Sequence, residues 1–303
     1  MTKTIRIGTR DSELALWQAN TVKNALEKMG HKTVLVPVKS EGDLNLDQPL
    51  YEMGITGIFT KTLDIAMITG KIDIAVHSMK DVPTALPKGI VEAAVLKRAN
   101  AADILLHKGL DFLDGNGTIA TGSLRRKAQW LHKYPNHTVV DLRGNVNTRL
   151  KKLEENSWSG AIFAAAGLER INLTPANHLS LDWMIPAPAQ GAMLVVAMEN
   201  DTYCLEALSA LNHKDSETCV HVEREFLREL EGGCTAPIGA LAQIENNTLH
   251  FKGALFSLDG KSNFEVVKSI PVENAESFGK TCAQEILNNG GKELMKHIKQ
   301  ALN

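Results

Sequence analysis

Apolar positions in the first hundred residues change repeatedly between a period of two and a period near 3.6. Residues 4–8 alternate as a short strand does, and Leu14 and Leu26 then belong to a helical pattern that ends at Gly30. The predicted elements are strands at 4–8, 34–38 and 72–76 and helices at 12–30 and about 59–70. Regular alternation of strand and helix predicts a doubly wound α/β sheet.

From about residue 97 the same alternation begins again. Its predicted elements are strands at 104–106, 118–120, 138–140 and 161–164 and helices at 123–134 and 145–155. Pro186, Pro188 and Gly191 then interrupt the pattern, and a wholly apolar strand follows at 193–197. The position of that strand indicates that the chain crosses back to the first α/β lobe after completing a second one.

After about residue 212 the pattern changes to a long helix followed by strands with one polar face. The predicted elements are helices at 216–230 and from Ala275 and strands at 241–244, 249–256 and 264–270. This part is typical of a small α+β domain. The predicted fold class is therefore α/β, with two doubly wound lobes and a small C-terminal α+β domain.

Composition narrows the class of protein. The 303 residues are 44% hydrophobic and 22% charged, and no apolar run approaches membrane-spanning length, so we expect a cytoplasmic protein with no membrane contact. A net charge of -2 gives no general bias toward nucleic acid. The four cysteines lie far apart without a CxxC pair, which argues against a zinc site and against a disulfide framework.

Three strand-to-helix turns have the composition of anion-binding loops. They lie at 8–12 (Gly-Thr-Arg-Asp-Ser), 121–126 (Thr-Gly-Ser-Leu-Arg-Arg) and 142–149 (Leu-Arg-Gly-Asn-Val-Asn-Thr-Arg). Arginine in the first turn of a helix opposes the helix dipole, so Arg125 and Arg126 require a compensating anion. Ordinary capped turns and an ion-paired surface explain each turn singly, but together they predict a cleft that binds carboxylate or phosphate.

One segment places a carboxylate at the end of a buried strand. Residues 77–83 (His-Ser-Met-Lys-Asp-Val-Pro) follow the strand at 72–76, and in an open α/β sheet ligands bind at the carboxyl ends of strands. Asp81 beside Lys80 would suit stabilisation of a cation or proton transfer, although an aspartate before Val-Pro is more often a turn former. No second histidine or cysteine lies at metal-ligand spacing from His77, so we expect a packed histidine there.

Seven motifs, in order along nearly the whole chain, resemble those of the porphobilinogen deaminase (hydroxymethylbilane synthase) family. They lie at 7–19, 74–83, 122–126, 142–149, 165–170, 188–192 and 230–239, the last reading Leu-Glu-Gly-Gly-Cys-Thr-Ala-Pro-Ile-Gly. The resemblance implies a transferase of haem biosynthesis that joins four porphobilinogen units head to tail with loss of ammonia. Hydrolysis then releases linear hydroxymethylbilane. The growing chain is a polyanion because each pyrrole carries acetate and propionate groups.

The resemblance also implies the cofactor and the site residues. A dipyrromethane primer would be attached to Cys234 by a thioether, and Asp81 would be the catalytic residue that stabilises the azafulvene cation. No metal is implied. The remaining cofactor-binding positions are Lys80, Ser12, Ser123, Arg125, Arg126, Arg143, Gly144 and Gln190, and the substrate-binding positions are Arg10, Arg149, Arg170 and Phe59.

The family further implies a monomer whose two lobes resemble type II periplasmic binding proteins. Carried onto this chain, domain 1 comprises 1–96 and 192–211, domain 2 comprises 97–191, and domain 3 comprises 212–303. A long segment at 40–57 resembles the loop that covers the cleft in that family. Glu41, Glu52 and Thr56 stand where relatives often have basic residues, so we expect apolar cover from this loop and charge neutralisation by the lobes.

Two other classes of protein remain as alternatives. A non-enzymatic binding protein with the same two lobes would also clasp an anion, but the absence of an export signal and the complete motif around Cys234 count against it. The second alternative is a phosphate-handling transferase that uses the turn at 121–126, but the sequence there lacks the lysine spacing of a P-loop. A covalent dipyrromethane adduct in the intact mass would distinguish the deaminase from both.

Overall fold

The computed structural model describes residues 3–39, 60–230 and 236–302. Its strands are β1 (Thr4–Thr9), β2 (Lys32–Pro37), β3 (Ile74–Ser78), β4 (Ile90–Val95), β5 (Asp103–His107), β6 (Thr118–Ala120), β7 (Thr138–Val140), β8 (Gly160–Ala164), β9 (His178–Ser180), β10 (Met193–Met198), β11 (Ile238–Glu245), β12 (Thr248–Phe256) and β13 (Asn263–Pro271). Its α-helices are α1 (Glu13–Lys28), α2 (Lys61–Ile68), α3 (Leu124–Lys133), α4 (Val146–Glu155), α5 (Ala165–Arg170), α6 (Thr202–Ser209), α7 (Lys214–Glu229), α8 (Phe278–Ile286) and α9 (Lys292–Leu302). Contacts divide the chain into two compact units, of which the first contains the described residues 3–39, 60–99 and 191–217 and the second contains the rest.

The first unit contains a five-stranded sheet in the order β2-β1-β3-β10-β4. Strands β1, β2 and β3 are parallel, and β10 is antiparallel to both of its neighbours. Ile5 and Ile7 point to one face, where they pack with residues of α1 and α6. On the other face a Cβ at Gly8 would lie 2.3 Å from Ile72 and 3.1 Å from Leu63 of α2. Helices therefore cover both faces, and the side chains of Ile72 and Leu63 leave little room for a Cβ at position 8 of β1.

The second unit contains a five-stranded sheet in the order β7-β6-β8-β5-β9. Here β6, β7 and β8 are parallel, and β5 is antiparallel to β8 and β9. Alternate residues of β5 enter different cores, since Leu106 packs with the α4 and α5 side and Leu105 with Trp130 of α3. The two sheets have the same arrangement: the fourth strand in the order, β10 in the first and β5 in the second, is antiparallel to its neighbours. In each sheet this is the first strand after the chain has crossed from the other unit.

The C-terminal part of the second unit is a three-stranded antiparallel sheet, β11-β12-β13, packed with α7, α8 and α9. Phe251 lies between Phe226 and Phe278, with ring centroids 5.2 and 6.1 Å apart in edge-to-face contacts. Within the same unit this layer contacts the five-stranded sheet's helix α3, because His132 Nδ1 lies 2.7 Å from the carbonyl oxygen of Gly260. The C-terminal layer and the second lobe thus form one compact unit by contact.

The structure confirms the predicted fold class of two α/β lobes and a small α+β part. The sequence pattern missed β4, β9, α5 and α6, which are short or contribute only part of a periodic face. It placed the start of the C-terminal helix at Ala275, whereas α8 begins at Phe278 and a residue with φ of 111°, Gly290, separates it from α9. The domain boundaries remain a prediction. Among the described residues, no helix combines the length and apolar character needed to cross a membrane.

Candidate functional site

In the first unit, two loops leave the same edge of the sheet. Strands β1 and β3 are parallel, so their carboxyl ends lie together. Arg10 and Ser12 follow β1, and a 3-10 turn that contains Lys80 and Asp81 follows β3 directly. The structure therefore brings these four sequence-predicted residues to one edge of one sheet, where open α/β sheets bind ligands.

The turn that contains Asp81 is fixed by hydrogen bonds around it. The Met79 N–H donates to the carbonyl of Ala192 at 3.1 Å, and the Val82 N–H donates to the carbonyl of Met79 at 3.1 Å. Gln18, which is buried on α1, donates from Nε2 to Ser78 Oγ at 2.9 Å. Asp81 is half-buried. A carboxylate in such a braced turn loses little conformational entropy when it engages a ligand.

His77 precedes this turn and is buried, as the sequence analysis expected. Burial, with the positive charge of Arg10, lowers the pKa of His77 to about 4. The imidazole is therefore neutral near pH 7. Among the described residues, no group of histidine, cysteine and acidic side chains is arranged to hold a metal ion.

In the second unit, three loops leave the carboxyl ends of the parallel strands β6, β7 and β8. These loops and the helices α3, α4 and α5 that follow the strands carry seven of the predicted residues, namely Ser123, Arg125, Arg126, Arg143, Gly144, Arg149 and Arg170. A Cβ at Gly122 would lie 2.6 Å from the carbonyl oxygen of Leu142, so only glycine allows the first two loops to approach so closely. Gly144 has φ of 114°, a conformation that also favours glycine.

Both predicted serines cap helices. Ser12 Oγ accepts a hydrogen bond from the Ala15 N–H at the start of α1, and Ser123 Oγ accepts one from the Arg126 N–H at the start of α3, each at 3.4 Å. Capping uses a lone pair of the hydroxyl oxygen, and a hydroxyl also has a proton to donate. The capping role explains why serine occurs here, and it is compatible with donation to an anionic ligand.

Arg125 and Arg126 are only 4% and 5% exposed, and both contact the carboxylate of Asp103. Asp103 is the first residue of β5, which is antiparallel to β8 and therefore begins at this same edge. Gln190, another predicted site residue, donates from Nε2 to Asp103 Oδ1 at 2.9 Å. The sequence analysis expected a bound ligand to compensate the charges of Arg125 and Arg126. The structure shows that the Asp103 carboxylate supplies part of that compensation.

The other arginines of this edge are partly withdrawn from water. Burial lowers the pKa of Arg143 and of Arg170, because a desolvated guanidinium loses hydration. Arg149 Nε donates to the carbonyl oxygen of Gly144 at 2.7 Å, which folds its side chain back over the loop. Guanidinium groups held in this way suit planar, bidentate recognition of carboxylates.

Two predicted site residues, Cys234 and Phe59, lie outside the described residues, as does the segment at 40–57. The sequence analysis did not single out two buried polar residues that support the predicted site residues or their turns, Asp103 and Gln18. Gln18 had a detectable signal, because it interrupts the stripe formed by Leu14, Val22 and Leu26 on α1. Asp103 had none beyond being a charge at the start of an apolar strand.

Comparison with known proteins places the chain in a family. Residues 5–206 match the family model described as "Porphobilinogen deaminase, dipyromethane cofactor binding domain", and residues 217–288 match "Porphobilinogen deaminase, C-terminal domain". Porphobilinogen deaminase of Geotalea uraniireducens is 41% identical, with 98% of this chain and 96% of the relative covered. The enzyme of Syntrophotalea carbinolica is 42% identical, with 96% and 95% covered.

Solved structures give a more distant match. A probable amino-acid ABC transporter extracellular-binding protein of Bacillus subtilis is 13% identical, with a TM-score of 0.42 over 70% of this chain and 90% of that one. The family models and the curated relatives cover almost the whole sequence, including both sheet edges described above. The chain belongs to the porphobilinogen deaminase family.

Proposed function

We propose that this protein joins four porphobilinogen units head to tail on a dipyrromethane primer, with loss of ammonia, and then releases linear hydroxymethylbilane by hydrolysis. Membership of the family supports the reaction and the dipyrromethane cofactor. The observation that carries the assignment of residues is the pair of sheet edges, each of which collects cationic side chains from loops that follow parallel strands. The product is a precursor of tetrapyrroles.

The arginine-rich edge of the second unit has the donor set that the cofactor requires. Dipyrromethane carries acetate and propionate carboxylates, and when bound it supplies the pyrrole carbon from which the chain is extended. Arg125, Arg126, Arg143 and Gln190, with the hydroxyl of Ser123 and the backbone at Gly144, would hold those carboxylates. Their partial burial strengthens each charge-assisted hydrogen bond, because the local dielectric is lower than that of water.

The attachment point we propose is Cys234, through a thioether. The other three cysteines, Cys204, Cys219 and Cys282, are all buried. Burial raises the pKa of Cys204 to about 12 and that of Cys282 to about 11, so neither thiol forms a thiolate readily. The raised pKa makes Cys204 and Cys282 poor nucleophiles, and burial limits access to Cys219, which supports Cys234 by contrast.

Asp81 is the residue we assign to the chemical step. A cation forms on porphobilinogen as ammonia leaves, and a carboxylate held nearby stabilises that charge more in the transition state than in the ground state. The same carboxylate can accept hydrogen bonds from the pyrrole N–H groups. Lys80, on the same turn, and Arg10, Arg149 and Arg170 would bind substrate carboxylates, with Phe59 contributing apolar cover.

Substitution of Cys234 tests the attachment. Cys234→Ala should give a folded protein that lacks the dipyrromethane adduct in its intact mass and has no detectable turnover of porphobilinogen. Cys219→Ala is the matched control, because it removes a buried thiol from α7 and should leave the adduct in place. An adduct retained by Cys234→Ala and lost from Cys219→Ala would overturn the assignment.

We also propose that the protein is a cytoplasmic monomer that binds porphobilinogen and uses neither nucleic acid nor a membrane. A net charge of -2 supports the absence of a nucleic-acid partner, because binding to a phosphate backbone relies on positive charge. Light scattering coupled to size exclusion tests the oligomeric state. A mass near 33.1 kDa is expected for a monomer.

A further inference from the structure

The carboxylate of Asp103 is the centre of a buried polar cluster in the second unit. Its side chain is fully buried, with 0% exposure. Burial alone would raise its pKa, but the charges of Arg125 and Arg126 lower the pKa well below its usual range. Asp103 is therefore ionised near pH 7, and it meets the arginines as a negative charge.

Both oxygen atoms of this carboxylate are used. Oδ2 accepts from Arg125 Nη1 at 2.6 Å, and Oδ1 accepts from Arg126 Nε at 2.9 Å and lies 2.8 Å from Arg126 Nη2. Gln190 Nε2 donates to Oδ1 at 2.9 Å and to the carbonyl oxygen of Ala101 at 2.8 Å. One side chain therefore contacts three residues that the proposed function assigns to cofactor binding.

Each guanidinium also has a second attachment to the backbone. Arg125 Nη1 donates to the carbonyl oxygen of Ile185 at 2.9 Å, and Arg126 Nη1 donates to that of Ile162 at 2.9 Å. An arginine side chain otherwise loses much rotamer entropy when a ligand orders it. Contacts from two directions remove that freedom before any ligand arrives, so the groups are pre-organised.

We propose that Asp103 is a positioning residue, which holds Arg125, Arg126 and Gln190 in the orientation that receives the carboxylates of the dipyrromethane cofactor. It acts through these three side chains and does not touch the cofactor itself, since it is fully buried. This inference rests on the proposed function of the arginine-rich edge. In this arrangement the Asp103 carboxylate orients the two guanidinium groups, and these bind the carboxylates of the cofactor.

A purely stabilising ion pair is the competing explanation, and the chain offers a matched control for it. Asp73 in the first unit is 6% exposed and accepts from the Arg6 backbone N–H at 2.8 Å, from Arg6 Nε at 2.9 Å and from Arg6 Nη2 at 2.8 Å. It directly precedes β3, so it lies at the sheet edge opposite Asp81. Asp73→Asn thus breaks a carboxylate–arginine pair that no proposed site residue shares.

The experiment compares full-length Asp103→Asn, Asp103→Glu and Asp73→Asn with the wild type, each purified from the same host. Intact mass gives the fraction of protein that carries the dipyrromethane adduct, and steady-state kinetics on porphobilinogen give KM and kcat per loaded molecule. We expect Asp103→Asn to show an adduct fraction lower, or a KM higher, by about tenfold or more, as for loss of a hydrogen bond to a charged group. Asp73→Asn should match the wild type in both.

Asp103→Glu keeps the charge and shifts the carboxylate by one methylene, so it should fold and should show an intermediate KM even if Asp103→Asn does not fold. The inference would be overturned if the wild type were loaded and active and every folded Asp103 variant had an adduct fraction and a KM within about twofold of those of Asp73→Asn. A wild-type protein without the adduct would overturn the proposed function instead, and this inference with it.

Discussion

Asp73 and Asp103 are both aspartates that pair with arginine, but they lie at different edges of their sheets. Asp73 is at the edge where the parallel strands begin, and Asp103 is at the edge where they end. Both side chains are buried; Asp73 directly precedes the first residue of a strand, and Asp103 is itself the first residue of one. Burial by itself would raise the pKa of each carboxyl, but neighbouring arginines lower it below its ordinary value. Asp73 precedes β3, which is parallel to its neighbour β1, and its arginine comes from within β1. Asp103 begins β5, which is antiparallel to β8, and its arginines lie in the first turn of α3, the helix that follows β6.

The difference shows how strand direction decides what an ion pair does. The start of a parallel strand lies at the edge away from the loops that contain Arg10 and Asp81. Asp73 there contacts Arg6 of β1 and also Lys3, which itself contacts Asp201, and neither partner of Asp73 is a proposed site residue. Reversal of one strand brings Asp103 to the other edge, which is the one where open α/β sheets bind ligands. The partners of Asp103 are arginines at the start of a helix and not a strand residue, so we expect this interaction to orient side chains that bind ligand.

The largest effect is expected from the carboxylate at the other end of β3. Asp81→Asn keeps the size of the side chain and removes its charge, so the proposed stabilisation of the cation is lost. Turnover should fall by about 100-fold or more, equivalent to about 2.7 kcal/mol of barrier, while Asp73→Asn should leave turnover unchanged. Single-turnover kinetics on loaded protein measure the step, and a loss below about tenfold would argue against the assigned role.

Within the Asp103 cluster, the two arginines should differ in their contribution to stability. Arg126 contacts Asp103 and Ile162 through Nε, Nη1 and Nη2, whereas the contacts of Arg125 to Asp103 and Ile185 use Nη1 alone. A lysine can replace one such contact but not three. Arg126→Lys should therefore lower the free energy of unfolding by about 2 kcal/mol, and Arg125→Lys by about half as much.

Denaturant unfolding of the two lysine variants gives both values. Equal losses would show that the number of contacts at the guanidinium does not set the energy. A larger loss for Arg125→Lys would show that the order proposed for the two arginines is wrong.

Asp73 should make stability sensitive to acid. Burial raises its pKa, but hydrogen bonds from Arg6 lower it to about 2, below the ordinary value of 3.8. A depressed pKa in the folded state adds stability above the unfolded-state value, and that contribution disappears as the pH falls through the folded-state value. The free energy of unfolding should therefore decline between about pH 4 and pH 2 through this group.

Asp73→Asn should remove that part of the decline and should lower stability near pH 7 by about 1 kcal/mol, since Arg6 is 39% exposed and solvent screens the pair. Unfolding curves measured from pH 7 to pH 2.5 test both statements. An acid dependence that is identical in Asp73→Asn and the wild type would assign it to other carboxylates.

The smallest effect should come from an ion pair on the surface. Lys151 and Glu155 lie 3.6 Å apart on α4, with side chains 74% and 57% exposed. Lys151→Ala should change the free energy of unfolding by less than about 0.5 kcal/mol, because exposed pairs gain little in water. A change of about 1 kcal/mol or more, which added salt abolished, would show that exposure is a poor guide to the strength of these pairs.

Much of the site was predictable because its residues are close together in the sequence. The turn that contains Lys80 and Asp81 follows an apolar strand, and the turn that contains Ser123, Arg125 and Arg126 joins a strand to a helix, so local pattern alone places each at a sheet edge. The strand β9 was missed because its three residues carry too few alternating positions. The strand β4 was missed because Ile90–Val95 does not alternate, being apolar at every position except Glu92.

The sequence by itself determined the α/β class, the order of the principal strands and helices, and the local positions of the predicted site residues. Those features depend on periodicity and on motifs within about ten residues. Only the tertiary structure decided that Asp103 receives Arg125 and Arg126 and that Gln18 braces Ser78, contacts that span 22 and 60 residues of chain. The reason is physical: the reversed direction of β5 and the packing of α1 on β3 create these pairs, and neither follows from the pattern of any single segment.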